Sequence, residues 1–253
     1  MIVLGRRQNG DKRRRALDVD GAVFYKSEWL ETPDDSTLSP TCFLVEQEAN
    51  STLVPHFHRQ NQFQLFVGGG GTIGASALKT VTVHYAGAYT GYGPLVAGPE
   101  GIRYFTIRTV LESGMIPVST GREQMVRGPK RHATAGPIET LGADALRALA
   151  RVEQSELIAP APDGLAAVVS AMPPNASLVI PPVPASQGQF VFVIAGSLRH
   201  QGVELGLWEH LFISSDEPAV TLVAGAQGAQ IVAMHSPARE AVYTATQMAA
   251  AGA

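Results

Sequence analysis

The feature that most constrains the fold is an internal repeat. Short blocks in the first half of the chain return in the second half at one constant offset of 127 positions. The matching elements are Gln62 with Gln189, Gly69 with Gly196, Gly101 with Gly228, and residues 95–98 with residues 222–225. Because one offset relates separate blocks without a gap, the sequence predicts two copies of the same domain.

Each copy has the pattern of short β-strands separated by turns. Residues 62–67 alternate polar and apolar side chains and run into four glycines, and residues 81–85 and 104–107 are similar. The chain contains 26 Gly and 17 Pro, and only 16% of its residues are charged, which favours a turn-rich β-protein over a helical one. The sequence therefore predicts an all-β fold, with an antiparallel sandwich or barrel in each copy.

Shifts in composition predict the boundaries of five segments. Residues 37–112 and 161–238 are expected to form the two β-domains. The remaining segments are a basic N-terminal arm (1–36), a linker rich in Gly, Pro and charge that contains a helix (113–160), and a small-residue C-terminal tail (239–253) that is frayed or helical.

Two of these segments carry further patterns. In the linker, apolar residues at spacings of three and four predict a helix over residues 139–158. The arm contains six Lys and Arg residues between positions 6 and 15. No helix-turn-helix, aromatic RNA-binding motif or zinc finger follows them, so the cluster is interpreted as a solvated arm, or as a contact between two copies in a homodimer, and not as a nucleic-acid site.

Composition and motifs exclude several other classes. The formal net charge is −3, and Cys42 is the only cysteine, which excludes an internal disulfide, a CxxC pair and a Cys-rich zinc site. No apolar run approaches the ~18 residues of a membrane helix, and residues 1–7 lack the order of a signal peptide, so a cytoplasmic protein is expected. Residues 69–74 fit GxGxxG, but the strand that follows leaves no room for the helix of a dinucleotide site.

His56 and His58 are the strongest candidates for chemistry. In a strand, residues i and i+2 point to the same face, so both imidazoles can reach a single ion. Gln62 begins the next strand and can add an amide oxygen. Neutral imidazole is the commonest metal ligand in proteins. The sequence therefore predicts that His56, His58 and Gln62 bind a divalent metal ion.

Residues 55–69 and 99–104 resemble the two motifs of the cupin superfamily. The first motif is His-x-His followed by a carboxylate or amide position and a glycine, here Gly69; the second is Pro-x-Gly-x-x-His, here with Tyr104 in the last position. The resemblance covers both β-regions and implies a bicupin, with two tandem double-stranded β-helix (jelly-roll) barrels. It also implies a bound Mn, Fe, Ni, Co or Zn ion, and it is compatible with dioxygenases, isomerases, decarboxylases, lyases and non-catalytic binding proteins.

This chain departs from the family pattern in ways that matter for a metal. Gln62 stands where the family usually has Glu, which removes a negative charge, and a neutral Tyr104 phenol is a poor ligand. The site therefore holds a metal through three ligands, or it holds none. His84 could supply a further nitrogen, although a surface position is the simpler interpretation, and Tyr92 is expected to cover the core from a turn.

The alternation of the strands extends the candidate site. Thr106 and Arg108 share the face of Tyr104, whereas Gln64 and Phe66 lie on the same face of an earlier strand. Tyr104 is predicted to donate or accept a proton, and Arg108 to bind a substrate carboxylate at the barrel mouth. Gln64, Phe66 and Thr106 are predicted to contact the substrate.

Two functions remain open from the sequence. The first is a divalent-metal-dependent enzyme, of the lyase or dioxygenase type, that acts on a small polar or anionic molecule. The alternative is a cupin that binds or senses a small molecule without a metal and without turnover. At the 127-residue offset, the positions of His56, His58 and Tyr104 correspond to those of Val183, Ala185 and Ile231. In both cases the ligand is therefore expected in the first copy.

Overall fold

The computed structural model of the chain describes residues 1–19, 21–30, 38–112 and 114–244. Antiparallel strands make up most of this part, which confirms the predicted all-β class. The strands are β1 (Ile2–Gly5), β2 (Arg15–Val19), β3 (Ala22–Glu28), β4 (Thr41–Gln47), β5 (Thr52–Leu53), β6 (His56–Phe57), β7 (Gln62–Ile73), β8 (Ser76–Leu78), β9 (Thr82–Ala86), β10 (Leu95–Arg108), β11 (Ile116–Pro117), β12 (His132–Ala135), β13 (Glu153–Ile158), β14 (Ala166–Met172), β15 (Ser177–Ile180), β16 (Ser186–His200), β17 (Val203–Leu205), β18 (His210–Ile213) and β19 (Val220–Pro237). The helices are α1 (Arg7–Lys12), α2 (Val118–Gly121), α3 (Ala143–Ala148) and a 3₁₀ turn at Arg122–Gln124.

The described residues separate into two units, which we name the first barrel and the second barrel. The first barrel contains the described residues within 13–28, 33–138 and 239–253; the second contains those within 1–12, 29–32 and 139–238. Each predicted β-domain falls within one of the two units. None of the helices in the described part of the chain has the length and hydropathy needed to cross a bilayer.

The predicted N-terminal arm is folded, which corrects the expectation of a solvated extension. β1 pairs with β18 in the second barrel, with Ile2 opposite Ile213, whereas β2 and β3 extend the sheet of the first barrel. The three apolar residues at positions 2–4 provide an edge strand, which the basic residues around them obscured. Residues 31–36 of the arm and 245–253 of the predicted tail lie outside the described residues.

The predicted linker also contributes to both barrels. β12 pairs with β9 in the first barrel, and β13 pairs with β14 in the second barrel. The helix predicted over residues 139–158 was wrong for most of its length, because α3 ends where Leu149 becomes extended, with ψ of 130°. Hydrogen bonding of residues 153–158 to β14 prevails there over the local helical periodicity.

Both barrels are built from antiparallel sheets with equivalent strand orders. The first barrel has the order β12-β9-β7-β10-β4-β3-β2, and the second has β1-β18-β16-β19-β14-β13. The long central strands β7 and β10 therefore correspond to β16 and β19. A two-stranded sheet of β6 and β11 adds to the first barrel and carries the first histidine of the His-x-His motif.

The sheet register reproduces the offset of 127 residues. Phe66 pairs with Tyr104 in the first barrel, and Val193 pairs with Ile231 in the second. The pairs of β7 with β9 recur in the same way between β16 and β18. Each side chain of the first barrel's central strands thus has a definite counterpart in the second.

Two repeated glycines show why the repeat is so regular. Gly69 and Gly196 have positive φ angles of +68° and +67°, a conformation that glycine adopts without steric cost. A Cβ atom at these positions would lie 2.0 and 2.1 Å from the carbonyl oxygens of Gly101 and Gly228. The same close backbone approach therefore requires glycine in both barrels.

The interiors of the two barrels differ sharply in polarity. The second barrel is filled by aliphatic side chains, and Val191, Leu211 and Ile231 among them are fully buried. The first barrel buries polar residues on the equivalent strands, including Gln64 and His84. Burial of polar groups is costly unless they find partners, so the first barrel is where a functional site is expected.

Candidate functional site

The predicted site residues converge on one cavity of about 400 Å³ in the first barrel. The polar residues that line it include His56, His58, Gln62, Gln64, Tyr92, Tyr104, Thr106, Arg108 and Glu112. The alternation of β7 and β10 explains the convergence, because Gln64 and Thr106 are paired across the two strands and face the same side. The structure therefore brings seven of the eight predicted residues together.

Phe66 is the predicted residue that does not line the cavity. Its ring packs against the ring of Tyr104, with centroids 5.2 Å apart, and belongs to the apolar core of the barrel. Parity along the strand places Phe66 on the correct face but does not show how far along the barrel the cavity extends. Its predicted contact with substrate is therefore replaced by a packing role behind Tyr104.

His56 is held in one tautomer by two hydrogen bonds. Its Nδ1 lies 2.8 Å from the carbonyl oxygen of Val54, which can only accept, so Nδ1 carries the proton. Its Nε2 therefore accepts from the hydroxyl of Tyr92 at 3.0 Å. Burial, together with His58, lowers the pKa of His56 to about 3. The imidazole is neutral at physiological pH.

Tyr92 links the histidine to the amide of Gln62. Its hydroxyl accepts a hydrogen bond from Gln62 Nε2 at 2.6 Å while it donates to His56. Burial raises the pKa of Tyr92, so the phenol stays protonated. From the sequence Tyr92 was expected to cover the core from a turn, and its hydrogen bonds to His56 and Gln62 were not predicted. The position of Tyr92 in a turn beside the second motif was the one feature of the sequence that pointed to the site.

The guanidinium of Arg108 occupies the centre of the polar cluster. Its Nε and Nη2 donate to Gln62 Oε1 at 2.9 and 2.6 Å, and Nη2 lies 3.1 Å from His58 Nδ1. Nη2 also lies 3.4 Å from His58 Nε2, so the unprotonated nitrogen of the neutral His58 ring, whichever of the two it is, can accept from the guanidinium. Arg108 is 5% exposed, which corrects the prediction of a residue at the barrel mouth.

Glu112 is the counter-ion that the sequence analysis missed. Its Oε2 lies 3.7 Å from Arg108 Nε and 3.4 Å from His58 Nδ1, and its Oε1 accepts from the backbone N–H of Arg59. Burial opposes ionisation, but His58 and Arg108 lower the pKa of Glu112 overall. A buried cation needs such a partner. The acidic residue four positions after Arg108 was the feature of the sequence that could have indicated this ion pair.

The predicted metal ligands meet, but their donor atoms are already engaged. The rings of His56 and His58 have centroids 5.3 Å apart. His56 Nε2 binds Tyr92, whereas Gln62 Oε1 and His58 Nδ1 bind Arg108. No group of three or more His, Cys, Asp and Glu side chains in the described part of the chain is placed to hold a metal. In this arrangement the residues do not fit a divalent ion, because a buried guanidinium already occupies the lone pairs.

The remaining polar residues offer hydrogen bonds to a ligand. Burial raises the pKa of Tyr104 far above neutrality, so this phenol can donate a hydrogen bond but cannot act as a base at pH 7. Tyr104 was predicted to donate or to accept a proton, and of these two roles the role of acceptor does not suit a phenol with a raised pKa. Gln64 Oε1 is buried without a hydrogen-bond partner among the described residues. It is an acceptor that a ligand hydroxyl or N–H can satisfy.

His84 is buried but lies outside the residues that line the cavity. It is 3% exposed, and its Nδ1 contacts Thr134 Oγ1 at 2.8 Å. Burial lowers its pKa to about 4. The interpretation as a surface histidine was therefore wrong, while the suggestion that it supplies a nitrogen stays a prediction. Its ring packs 5.2 Å from the ring of Tyr92.

Comparisons with known proteins relate this geometry to solved structures. No protein-family model and no curated protein sequence matches the chain. A putative dioxygenase from Nostoc punctiforme is similar with a TM-score of 0.60 at 12% identity, over 96% of this chain and 80% of that chain. The bacterial pirin YhhW from Escherichia coli, in complex with nickel(II), has a TM-score of 0.54 at 14% identity, over 94% and 99%.

A third neighbour is the oxalate decarboxylase of Lactobacillus farciminis in a formate complex, with a TM-score of 0.55 at 7% identity, over 90% of this chain and 86% of that chain. Such low identities inform about the fold and not about the chemistry. The similarity extends over most of this chain, and Val183, Ala185 and Ile231 of the second barrel stand at the positions that correspond to His56, His58 and Tyr104. The chain therefore has the fold of these solved structures, in agreement with the resemblance at residues 55–69 and 99–104.

Proposed function

We propose that the first barrel binds a small organic carboxylate and holds it through Arg108 without a metal ion. The proposal rests on the Nη1 atom of the guanidinium, which forms no hydrogen bond with the described residues. A guanidinium has five N–H groups. Nε and Nη2 of Arg108 supply three of them to Gln62 and His58. The two N–H groups of Nη1 have no partner among the described residues.

A buried cation with two unused donors is a binding site for an anion. Arg108 lines the cavity, so a ligand oxygen can reach its guanidinium from there. Hydrogen bonds between charged partners are worth roughly 1.5–3 kcal/mol, more than bonds between neutral groups. Glu112 balances the charge of Arg108, and both histidines are neutral. A singly charged ligand therefore gives the cluster a net charge of −1, and the hydrogen bonds from Nη1 have to outweigh that charge.

The walls and the rim of the cavity define the rest of the ligand. Its apolar lining includes Phe24, Val45, Leu53 and Met115, which suits an aliphatic or aromatic body. Partly exposed residues at the rim are Arg15, Lys26 and Glu28. They carry one net positive charge, which favours the approach of an anion.

The test uses benzoate, 2-naphthoate and hexanoate as probes, with benzyl alcohol as the neutral comparison. Binding is measured by calorimetry for the wild type, Arg108→Met and Arg103→Met. Arg103 lies on the same strand but is exposed and outside the cavity, so its variant is the matched control. We expect Arg108→Met to weaken carboxylate binding by about 10- to 100-fold and Arg103→Met to leave it unchanged.

Equal binding by the wild type and Arg108→Met contradicts the proposal, and so does the absence of binding by all three carboxylates. The alternative is the metal-dependent lyase or dioxygenase that the sequence suggests. Two neutral imidazoles in one cavity support it. That function requires about one metal ion per chain, with the loss of ligand binding after treatment with a chelator.

A further inference from the structure

We propose that Arg108 is a resident cation that takes the place of a divalent ion, and that removing its guanidinium exposes a latent metal site. This inference concerns the occupant of the polar cluster. It does not depend on the carboxylate ligand proposed above. In the wild type the atoms that could bind a metal then act as hydrogen-bond acceptors for Arg108.

The first argument is the identity of the atoms that Arg108 contacts. Gln62 Oε1 accepts from both Nε and Nη2, and Nη2 lies within 3.4 Å of both ring nitrogens of His58. Amide oxygens and imidazole nitrogens use these lone pairs to bind metal ions. The guanidinium thus neutralises the electron-rich atoms that a metal would bind, and a second cation beside it is repelled.

The second argument is the balance of charge. A divalent ion brings two positive charges, whereas Arg108 brings one, and among the described residues Glu112 is the carboxylate within 4 Å of it. Gln62 adds no charge. The single negative charge of Glu112 therefore matches the guanidinium, and the pair is neutral. Burying a charge without such compensation costs several kcal/mol per ion.

The third argument is what remains when the guanidinium is removed. Glu112 Oε2 is buried and forms no hydrogen bond in the described part of the chain. Without Arg108 it is a buried carboxylate beside His58, at 3.4 Å. Together with His56 and Gln62 it supplies nitrogen and oxygen donors of a type that suits first-row divalent ions. As placed here, the described His and Glu side chains do not hold a metal, so they must rotate into the space that the guanidinium leaves. The uncompensated charge then favours uptake of a cation.

The experiment compares untagged wild type, Arg108→Ala, Arg108→Lys and Arg103→Ala. Each protein is treated with a chelator, dialysed, incubated with Ni²⁺, Mn²⁺ or Zn²⁺, and separated from free ion. Bound metal is measured by mass spectrometry, and the melting temperature is measured with and without the ion. The variant His56→Ala/His58→Ala/Arg108→Ala tests which residues hold the ion.

We expect the wild type, Arg108→Lys and Arg103→Ala to retain less than about 0.1 ion per chain, with an unchanged melting temperature. Arg108→Ala is expected to bind about one ion per chain and to melt at a higher temperature with the ion than without it. The triple variant is expected to lose this binding.

Two outcomes overturn the inference. One is wild-type protein that holds about one ion per chain and loses it in His56→Ala/His58→Ala. The other is a folded Arg108→Ala, judged by circular dichroism, that binds none of the three ions. If Arg108→Ala does not fold, Arg108→Gln replaces it, and the wild-type measurement stands by itself. Carboxylate binding by metal-free wild type tests the proposed function separately.

Discussion

In the first barrel, Gln64 and Tyr104 face a cavity; at the same register positions of the second barrel, Val191 and Ile231 are fully buried in an aliphatic core. The backbone, the pairing and Gly69 with its counterpart Gly196 are alike in both. The barrel framework is therefore specified by the strand pattern and the glycine positions. The polar interior is an addition that the framework tolerates only where its groups find partners.

The first barrel meets this condition through a connected network. His56, Tyr92, Gln62 and Arg108 form a chain of hydrogen bonds, and the carboxylate of Glu112 lies 3.7 Å from Arg108 as its counter-ion. In the second barrel the buried side chains of Gln189, His210 and Gln230 form hydrogen bonds with backbone groups, and a cluster of apolar side chains fills the interior. The stability of the two barrels should therefore respond differently to an added buried charge, to the loss of a counter-ion and to pH.

The largest effect is expected from placing a charge in the second barrel. Ile231→Arg puts at the counterpart of Tyr104 a guanidinium that has no carboxylate to meet it. We expect a loss of at least about 4 kcal/mol of stability, or failure to fold. The measurement is urea unfolding. Tyr104→Ile, which places the isoleucine of the second barrel at the corresponding position of the first, is the control and should cost much less stability. A loss below about 1 kcal/mol for Ile231→Arg contradicts the comparison.

In the first barrel, removal of the charge of Glu112 is expected to lower the free energy of unfolding by about 3 kcal/mol. Glu112→Gln keeps the shape and the bond from the Arg59 N–H but leaves Arg108 buried without its counter-ion. The double variant Glu112→Gln/Arg108→Met should be more stable than the sum of the single losses predicts. Strict additivity in urea unfolding would show that the two groups are not coupled.

An equal effect in both barrels is expected for the shared glycines. Gly69→Ala and Gly196→Ala each force a Cβ against a backbone carbonyl at positive φ, and we expect a loss of roughly 2 kcal/mol for each. Gly202→Ala is the control, because Gly202 also has a positive φ but nothing lies within 4 Å of its Cβ position. If only one of the two barrels is destabilised, the close approaches are not equivalent.

The smallest effect is expected from pH. The pKa of His84 is about 4 in the folded protein against 6.5 for the free side chain. Between these values the unfolded chain binds more protons, so stability is lost as the pH falls below 6.5. His84→Leu installs the residue type of its counterpart, Leu211. The stability difference between pH 7.5 and 5.5 should shrink by about 1 kcal/mol, and an unchanged difference would contradict the buried, neutral His84.

The sequence by itself determined the repeat, the β-class and the barrel that contains the site. A spacing of 127 residues and a strand period of two are local, countable properties, and they identify which side chains share a face. For this reason His56, His58 and Gln62 were predicted to meet, and Thr106 and Arg108 were placed on their side. The same reasoning identified the second interior as apolar.

Only the tertiary structure decided what these side chains bind. Parity gives the face of a strand but not the direction of a long side chain, so it could not show that Arg108 turns inward to Gln62 and His58. Glu112 and Tyr92 enter the cluster from segments outside the central strands, and β1 joins its sheet across more than 200 positions of sequence. These contacts join residues that are far apart in the sequence. They form because buried polar groups and strand edges need hydrogen-bond partners, and a local sequence pattern does not show where those partners lie.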